Sequence, residues 1–166
     1  MAGLTAPPDN AAAPDGPIIP ADEWFPGIDT DAVRAKVRIG DGAVADERLA
    51  EAVTAGILAG LDALADWQKL HRDAGVAGLA GVTIRTVAGE NLATLLWGRV
   101  VMFYAAAELM DGHTDVAATD DALDREEEKR VTADMYRRKA YEAVSDLLKI
   151  GAAEGAPVGR NWVELI

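Results

Sequence analysis

LATLLWGRVVMFYAAAELM, residues 92–110, carries two formal charges, Arg99 and Glu108, in 19 positions. As a helix it would run roughly 28 Å at about 1.5 Å per residue, the width of a small domain. Leu92, Leu96, Arg99/Val100, Phe103, Ala107 and Met110 recur at the three-and-four spacing of one face, and Leu95, Met102 and Leu109 fill a second. A helix apolar around almost its whole circumference is either buried in a bundle or spans a bilayer. A mid-segment charge, marginal length and no flanking Lys/Arg cluster argue against the bilayer. The stretch therefore reads as the central helix of an all-α small bundle, with amphipathic segments packed on either side.

Working outward towards the N-terminus, residues 74–89 form a connector punctuated by Gly75, Gly78, Gly81 and Gly89. It lacks the Lys-Ser/Thr of a phosphate loop. Within it Val82-Thr83-Ile84-Arg85-Thr86-Val87 is β-branched and strand-like, and a connector of this length signals function or partner contact. Before it, Leu49, Val53, Ile57, Leu61 and Leu64 make an apolar stripe on a helix from Asp46 to about Asp73, opposite Glu51, Asp62, Asp66 and Lys69. Gly56 and Gly60 lower helix propensity there by about 1 kcal/mol each relative to Ala, a cost that fits close approach of a neighbouring helix. Asp29 or Thr30 can cap a short helix over residues 31 to about 38. Gly40-Asp41-Gly42 then reads as a plain turn, since the ligand ladder of a calcium loop is missing.

Residues 1–23 contain five of the seven prolines and read as a flexible Pro/Ala-rich arm. Trp24 and Phe25 at its end either tuck the arm onto the domain or strap it onto a neighbouring subunit. Beyond the central helix, Asp111-Gly112 stops the helix and residues 113–119 form a loop. Asp120 or Asp121 then caps a last helix to about Ile150. The acids Asp120, Asp121, Asp124, Glu126, Glu127 and Glu128 lie near the positive end of its dipole, and Tyr136, Ala140, Val144, Leu147 and Leu148 form its apolar stripe. Residues 151–166 form a Gly/Pro-hinged tail with Trp162, Val163, Leu165 and Ile166 near its end, which either folds back or inserts into a partner. The organisation is thus arm (1–23), helical domain (24–150) and docking tail (151–166).

Composition excludes several chemistries. There is no Cys, hence no disulfide, zinc-thiolate site or thiol nucleophile. The first residues have no signal-peptide pattern, so a soluble intracellular protein is expected. A net charge of −12 opposes a high-affinity nucleic-acid surface. Ser145, the lone serine, has no cue for an activating base, and His71 and His113 have no metal spacing. No catalytic residue, metal or cofactor is expected. Arg99, on an apolar helix, should be a buried structural charge that reaches a carboxylate such as Glu51, Asp62 or Asp66.

Several phrases together resemble a known family. Trp24-Phe25-Pro26-Gly27-Ile28-Asp29, Val33-Arg34, Val37-Arg38-Ile39 and Arg48-Leu49-Ala50-Glu51-Ala52 with Gly56 are similar to the head completion (head stabilisation) protein of contractile-tailed temperate phages. The likeness continues through Gly89-Glu90, Arg99-Val100-Val101, Ala133-Asp134 and Arg137-Arg138, and covers roughly residues 24–166. The resemblance implies a structural virion protein, not an enzyme. It would form a homo-oligomeric ring of about twelve copies under the portal, retain packaged DNA, extend the DNA channel and offer a surface to tail-completion proteins. It implies location at the head–tail junction of the virion, and in the host cytoplasm during assembly, with no membrane. On that reading the acids from Asp120 to Glu128 line the channel, the tail residues 162, 163, 165 and 166 dock on the portal or a subunit, and Trp24 and Phe25 contact a neighbour. The alternatives are a monomeric helical adaptor or regulatory binder, and a small acidic helical enzyme.

Overall fold

The computed structural model describes residues 17–37, 44–111 and 120–150, and of residues 120–129 the helical backbone only. Four helices carry it: α1 (Thr30–Lys36), α2 (Asp46–Asp73), α3 (Leu92–Asp111) and α4 (Asp120–Leu148). Two short antiparallel ribbons accompany them. β1 (Ile18–Ile19) pairs with β2 (Ile28–Asp29), and β3 (Thr86–Val87) with β4 (Glu90–Asn91). The fold is the expected all-α bundle. The Gly40-Asp41-Gly42 turn and the tail from residue 151 onward lie outside the described residues.

α3 is the centre. It packs chiefly against α4 on one side and α2 on another, while α2 and α4 scarcely touch. By length and composition alone α3 is apolar enough to cross a membrane, yet half of its most apolar window is buried inside the bundle. Ala93, Trp97, Val100, Val101, Ala105 and Ala106 are sealed from solvent. The two glycines of α2 explain how closely the helices meet. A Cβ on Gly56 would stand 2.7 Å from the Val101 carbonyl oxygen, and one on Gly60 would stand 2.7 Å from the Trp97 ring. The low propensity of these glycines is the cost of that approach. Leu49, Val53, Ile57 and Leu64 are buried as their spacing requires, and Leu61 is half-buried.

The ends of the helices are set by local chemistry. Asp29 caps α1, its carboxylate accepting from the N–H groups of Asp31 (2.8 Å) and Ala32 (3.2 Å). Asn91 caps α3 in the same way, accepting from Ala93 (3.0 Å) and Thr94 (3.2 Å). Its amide nitrogen also donates to the carbonyls of Ala80 and Thr83. At the far end of α2, Gly75 takes φ +84°, and the N–H groups of Ala74, Gly75 and Val76 close on the last carbonyls.

The strand-like run in the connector is only partly a strand. Leu79–Val82 winds into a 3-10 turn that buries Leu79, and ribbon pairing is confined to Thr86 and Val87. Ala88 (φ 52°) and Gly89 (φ 84°) both occupy the left-handed region between β3 and β4. Two such residues fit a two-residue hairpin turn whose twist matches its strands. That hairpin feeds directly into α3.

Candidate interaction surfaces

The N-terminal segment is bound into the bundle by an aromatic corner. Trp24 is 3% and Phe25 2% exposed. Phe25 packs on Trp97 with ring centroids 4.3 Å apart, and Trp24 meets Trp67 edge-on at 5.7 Å. Indole nitrogens close the corner: Trp24 donates to the Val76 carbonyl (2.9 Å) and Trp97 to the Pro26 carbonyl (2.9 Å). Of the two sequence alternatives for Trp24 and Phe25, the structure places both rings within their own chain. Such burial, with each N–H satisfied, is how indoles enter a core without a polar penalty.

Asp22 organises the approach to this corner. Its carboxylate accepts from the N–H groups of Trp24 (2.9 Å) and Phe25 (2.6 Å) and from the Gln68 amide (2.7 Å). Burial alone would raise its pKa. The Phe25 N–H, the Gln68 amide, the Trp24 N–H and the Arg72 charge outweigh that and hold it below its ordinary 3.8. His71 stacks beside Trp24 and Trp67, and burial lowers its pKa below 6.5 against the opposing effect of the Ile150 backbone.

Arg99 departs from expectation. It is exposed, with its guanidinium 5.6 Å over the Phe103 ring rather than on a carboxylate of α2. Helical geometry gives the reason. Trp97 and Val101 face the α2 glycines, and Arg99 is two residues from each, so it is turned about 200° away from them. Phe103 in turn stacks on Tyr136 of α4 at 6.4 Å, and Lys139 lies within 6 Å of both rings. This row of Arg99, Phe103, Tyr136 and Lys139 is a cation–π array at the outer seam of α3 and α4. Beside it runs a groove of about 380 Å³ between α1 and α3, with Val33, Leu95, Gly98 and Met102 in its wall and charges of both signs on it, Lys36 and Arg99 with Asp29 and Glu90. Further along α4, Arg137 bridges Asp134 (2.8 Å) and Asp111, tying the end of α3 to α4.

The other sequence candidates fall where less is described. The acids from Asp120 to Glu128 lie on the first turns of α4, whose side chains are outside the described set. Trp162, Val163, Leu165, Ile166 and His113 lie outside the described residues altogether. Ser145 is half-buried in α4. Among the described residues no group of three or more His, Cys, Asp or Glu side chains converges as a metal site. Sequence reasoning missed Asn91, Asp22 and Trp97. The first two stand just before a helix and a tight turn, where Asx residues cap, and that signal was available. Lys139 and Tyr136 could be joined to Arg99 only once the pairing of α3 with α4 was known.

The described residues thus define a small, mostly helical protein built around one apolar helix, with open grooves along its surface. The chain belongs to the phage head completion protein family: the family described as "Phage head completion protein (GPL)" matches residues 19–154. The head completion/stabilization protein of Escherichia phage P2 is 31% identical over 107 residues, covering 64% of this chain and 63% of that protein. The alignment therefore spans less than two thirds of that relative. No solved structure matches the chain. The family is named for completion of the phage head, and the P2 relative for its completion or stabilisation.

Proposed function

We propose that this protein assembles as a ring beneath the portal of the filled head, retains the packaged DNA, prolongs its channel and presents the surface to which the tail attaches. Its partners on this reading are further copies of itself, about twelve in all, the portal protein, the tail-completion protein, and DNA that passes without sequence-specific binding. It acts at the head–tail junction and waits in the host cytoplasm during assembly. The family match across residues 19–154 carries the proposal. One further feature supports it: a net charge of −12 per copy would make a lumen that repels phosphate.

The decisive experiment is reconstruction of the head–tail junction from purified virions, with the protein expected in a closed ring between portal and tail. Its absence from that vertex overturns the proposal. Within the ring, the acids from Asp120 to Glu128 are assigned to the channel and residues 162–166 to portal docking. Removing residues 162–166 should leave a folded domain that no longer joins portal-bearing heads. Charge reversal across Asp120 to Glu128 should slow DNA ejection while rings still form. Normal joining or normal ejection would refute the respective assignment.

A further inference from the structure

At Ile150 the last helix hands the chain on to residues 151–166, and that point is pinned. The Ile150 carbonyl accepts from the Trp67 indole N–H (3.3 Å), and the Ile150 N–H donates to the Leu147 carbonyl (2.9 Å). Ile150 also borders a groove of about 400 Å³ between the connector and the end of α4. We propose that this groove is the seat of the chain's own segment 162–166 in copies that have not yet joined an assembly. The seat belongs to the free chain and does not depend on the ring reading.

The groove is apolar for much of its lining. Val82, Leu92 and Ile150 pack against the core yet stay only partly buried, and Leu96 lies deeper, 6% exposed. Its charges are Arg85, Asp146 and Lys149. Lys149 bonds Asp146 at 2.9 Å, so that pair is satisfied within the chain. Arg85 is exposed, and among the described residues no carboxylate closes on it. Glu90, on β4 of the same hairpin, lines the α1/α3 groove instead. Residues 160–166 carry one charge of each sign, Arg160 and Glu164, among Trp162, Val163, Leu165 and Ile166. Charge therefore admits this segment without selecting it. Apolar surface on both sides supplies the attraction, and the covalent tether selects the occupant.

Residues 151–161, with Gly151, Gly155, Pro157 and Gly159, separate the groove's edge from Trp162. A connection of that length and composition reaches about 18 Å, enough to turn back on the groove from which it starts. It holds the segment at an effective concentration on the order of millimolar. At micromolar protein, the same segment of a second copy competes at roughly a thousandfold disadvantage. Contacts too weak to retain a free peptide thus suffice for the tethered one, and they yield when a partner takes the same residues. Until then a seated segment keeps four large apolar side chains covered.

The absence of native cysteine makes the seat testable by linkage. Full-length chain carrying Thr83→Cys, on the groove wall, and Asn161→Cys would be treated at micromolar concentration with a short bis-maleimide. Linkage of 83 to 161 within one chain is expected, at a yield independent of protein concentration. It should exceed that of Leu58→Cys with Asn161→Cys at least about tenfold, since Leu58 is exposed on α2 and does not line the groove. Adding Trp162→Ser and Leu165→Ser should bring the 83–161 yield down to that of the control. In chain without cysteine, the same two serines should shift the methyl resonances of Val82, Leu92 and Leu96, while those of Val53, sealed in the core, stay in place. Circular dichroism and the melting temperature of each variant exclude unfolding as the cause. An 83–161 yield no greater than 58–161, or methyl positions indifferent to the serines, would overturn the proposal. So would linkage that forms mainly between chains when the two single-cysteine proteins are mixed, which would assign the groove to a second copy.

Discussion

Replacing Gly56 with Ala should destabilise the protein, although it replaces a poor helix former with the best one. Helix propensity alone favours the change by about 1 kcal/mol. Against it, the new Cβ would stand 2.7 Å from the Val101 carbonyl oxygen and 3.1 Å from the Ala105 nitrogen. The nearest approach is roughly 0.7 Å inside ordinary contact, where repulsion rises steeply. Both obstacles are backbone atoms of α3, so no rotamer change relieves them, and α2 must back away along the seam that buries Val53 and Ile57. Overpacking of this kind costs about 1–3 kcal/mol, leaving a net loss of up to about 2 kcal/mol. The internal control is Gly98→Ala on α3, whose added Cβ meets nothing within 4 Å and should stabilise by up to about 1 kcal/mol. For a chain of this size each kcal/mol moves Tm by about 2–4 °C. Urea unfolding of the two full-length variants measures both. If Gly56→Ala is as stable as Gly98→Ala, the close contact of α2 with α3 is not what the glycine serves.

Trp97→Phe removes the indole that fills the core and leaves the Pro26 carbonyl without its donor; a loss of about 2–3 kcal/mol is expected in urea titrations. Asn91→Ala strips the α3 cap and frees the carbonyls of Ala80 and Thr83. It should cost about 1–2 kcal/mol, with amide exchange quickening first at Ala93 and Thr94. Because the folded pKa of Asp22 lies below 3.8, its stabilisation is fully present above 3.8 and is lost as pH falls through the lowered native value. Asp22→Asn should therefore be less stable than wild type at pH 7, the gap narrowing below about pH 3.8; a constant gap in melts from pH 3 to 7 would refute the assignment.

Much of the bundle was legible because helices announce themselves by period. The apolar run before Asp111, the stripe of α2 and its boundaries at Asp46 and Asp73 follow from spacing and composition. Gly56 and Gly60 were readable as contact points because glycine inside a helix needs a reason. The connector was less legible. Val82 to Val87 has strand propensity throughout, yet Leu79 is drawn into the core and winds the start of the run into a 3-10 turn, a case of tertiary packing overriding local preference. Arg99 shows the same limit from the other side. An apolar helix suggested burial on every face, but a helix clasped by two neighbours keeps an outer edge, and only the packing of α2 and α4 reveals which residue occupies it. The resemblance reached the family, whereas the cation–π row depends on residues in two helices that no local pattern connects.

The hydrogen bond from Trp97 to Pro26 joins residues 71 apart in the chain, and that from Trp24 to Val76 joins residues 52 apart. During synthesis, then, the first aromatic pair to leave the ribosome waits for its receiving ring, which is made some seventy codons later. Through that interval Trp24 and Phe25 have no finished core to enter, so slow translation there would prolong the exposure of two large rings that the folded chain buries almost completely.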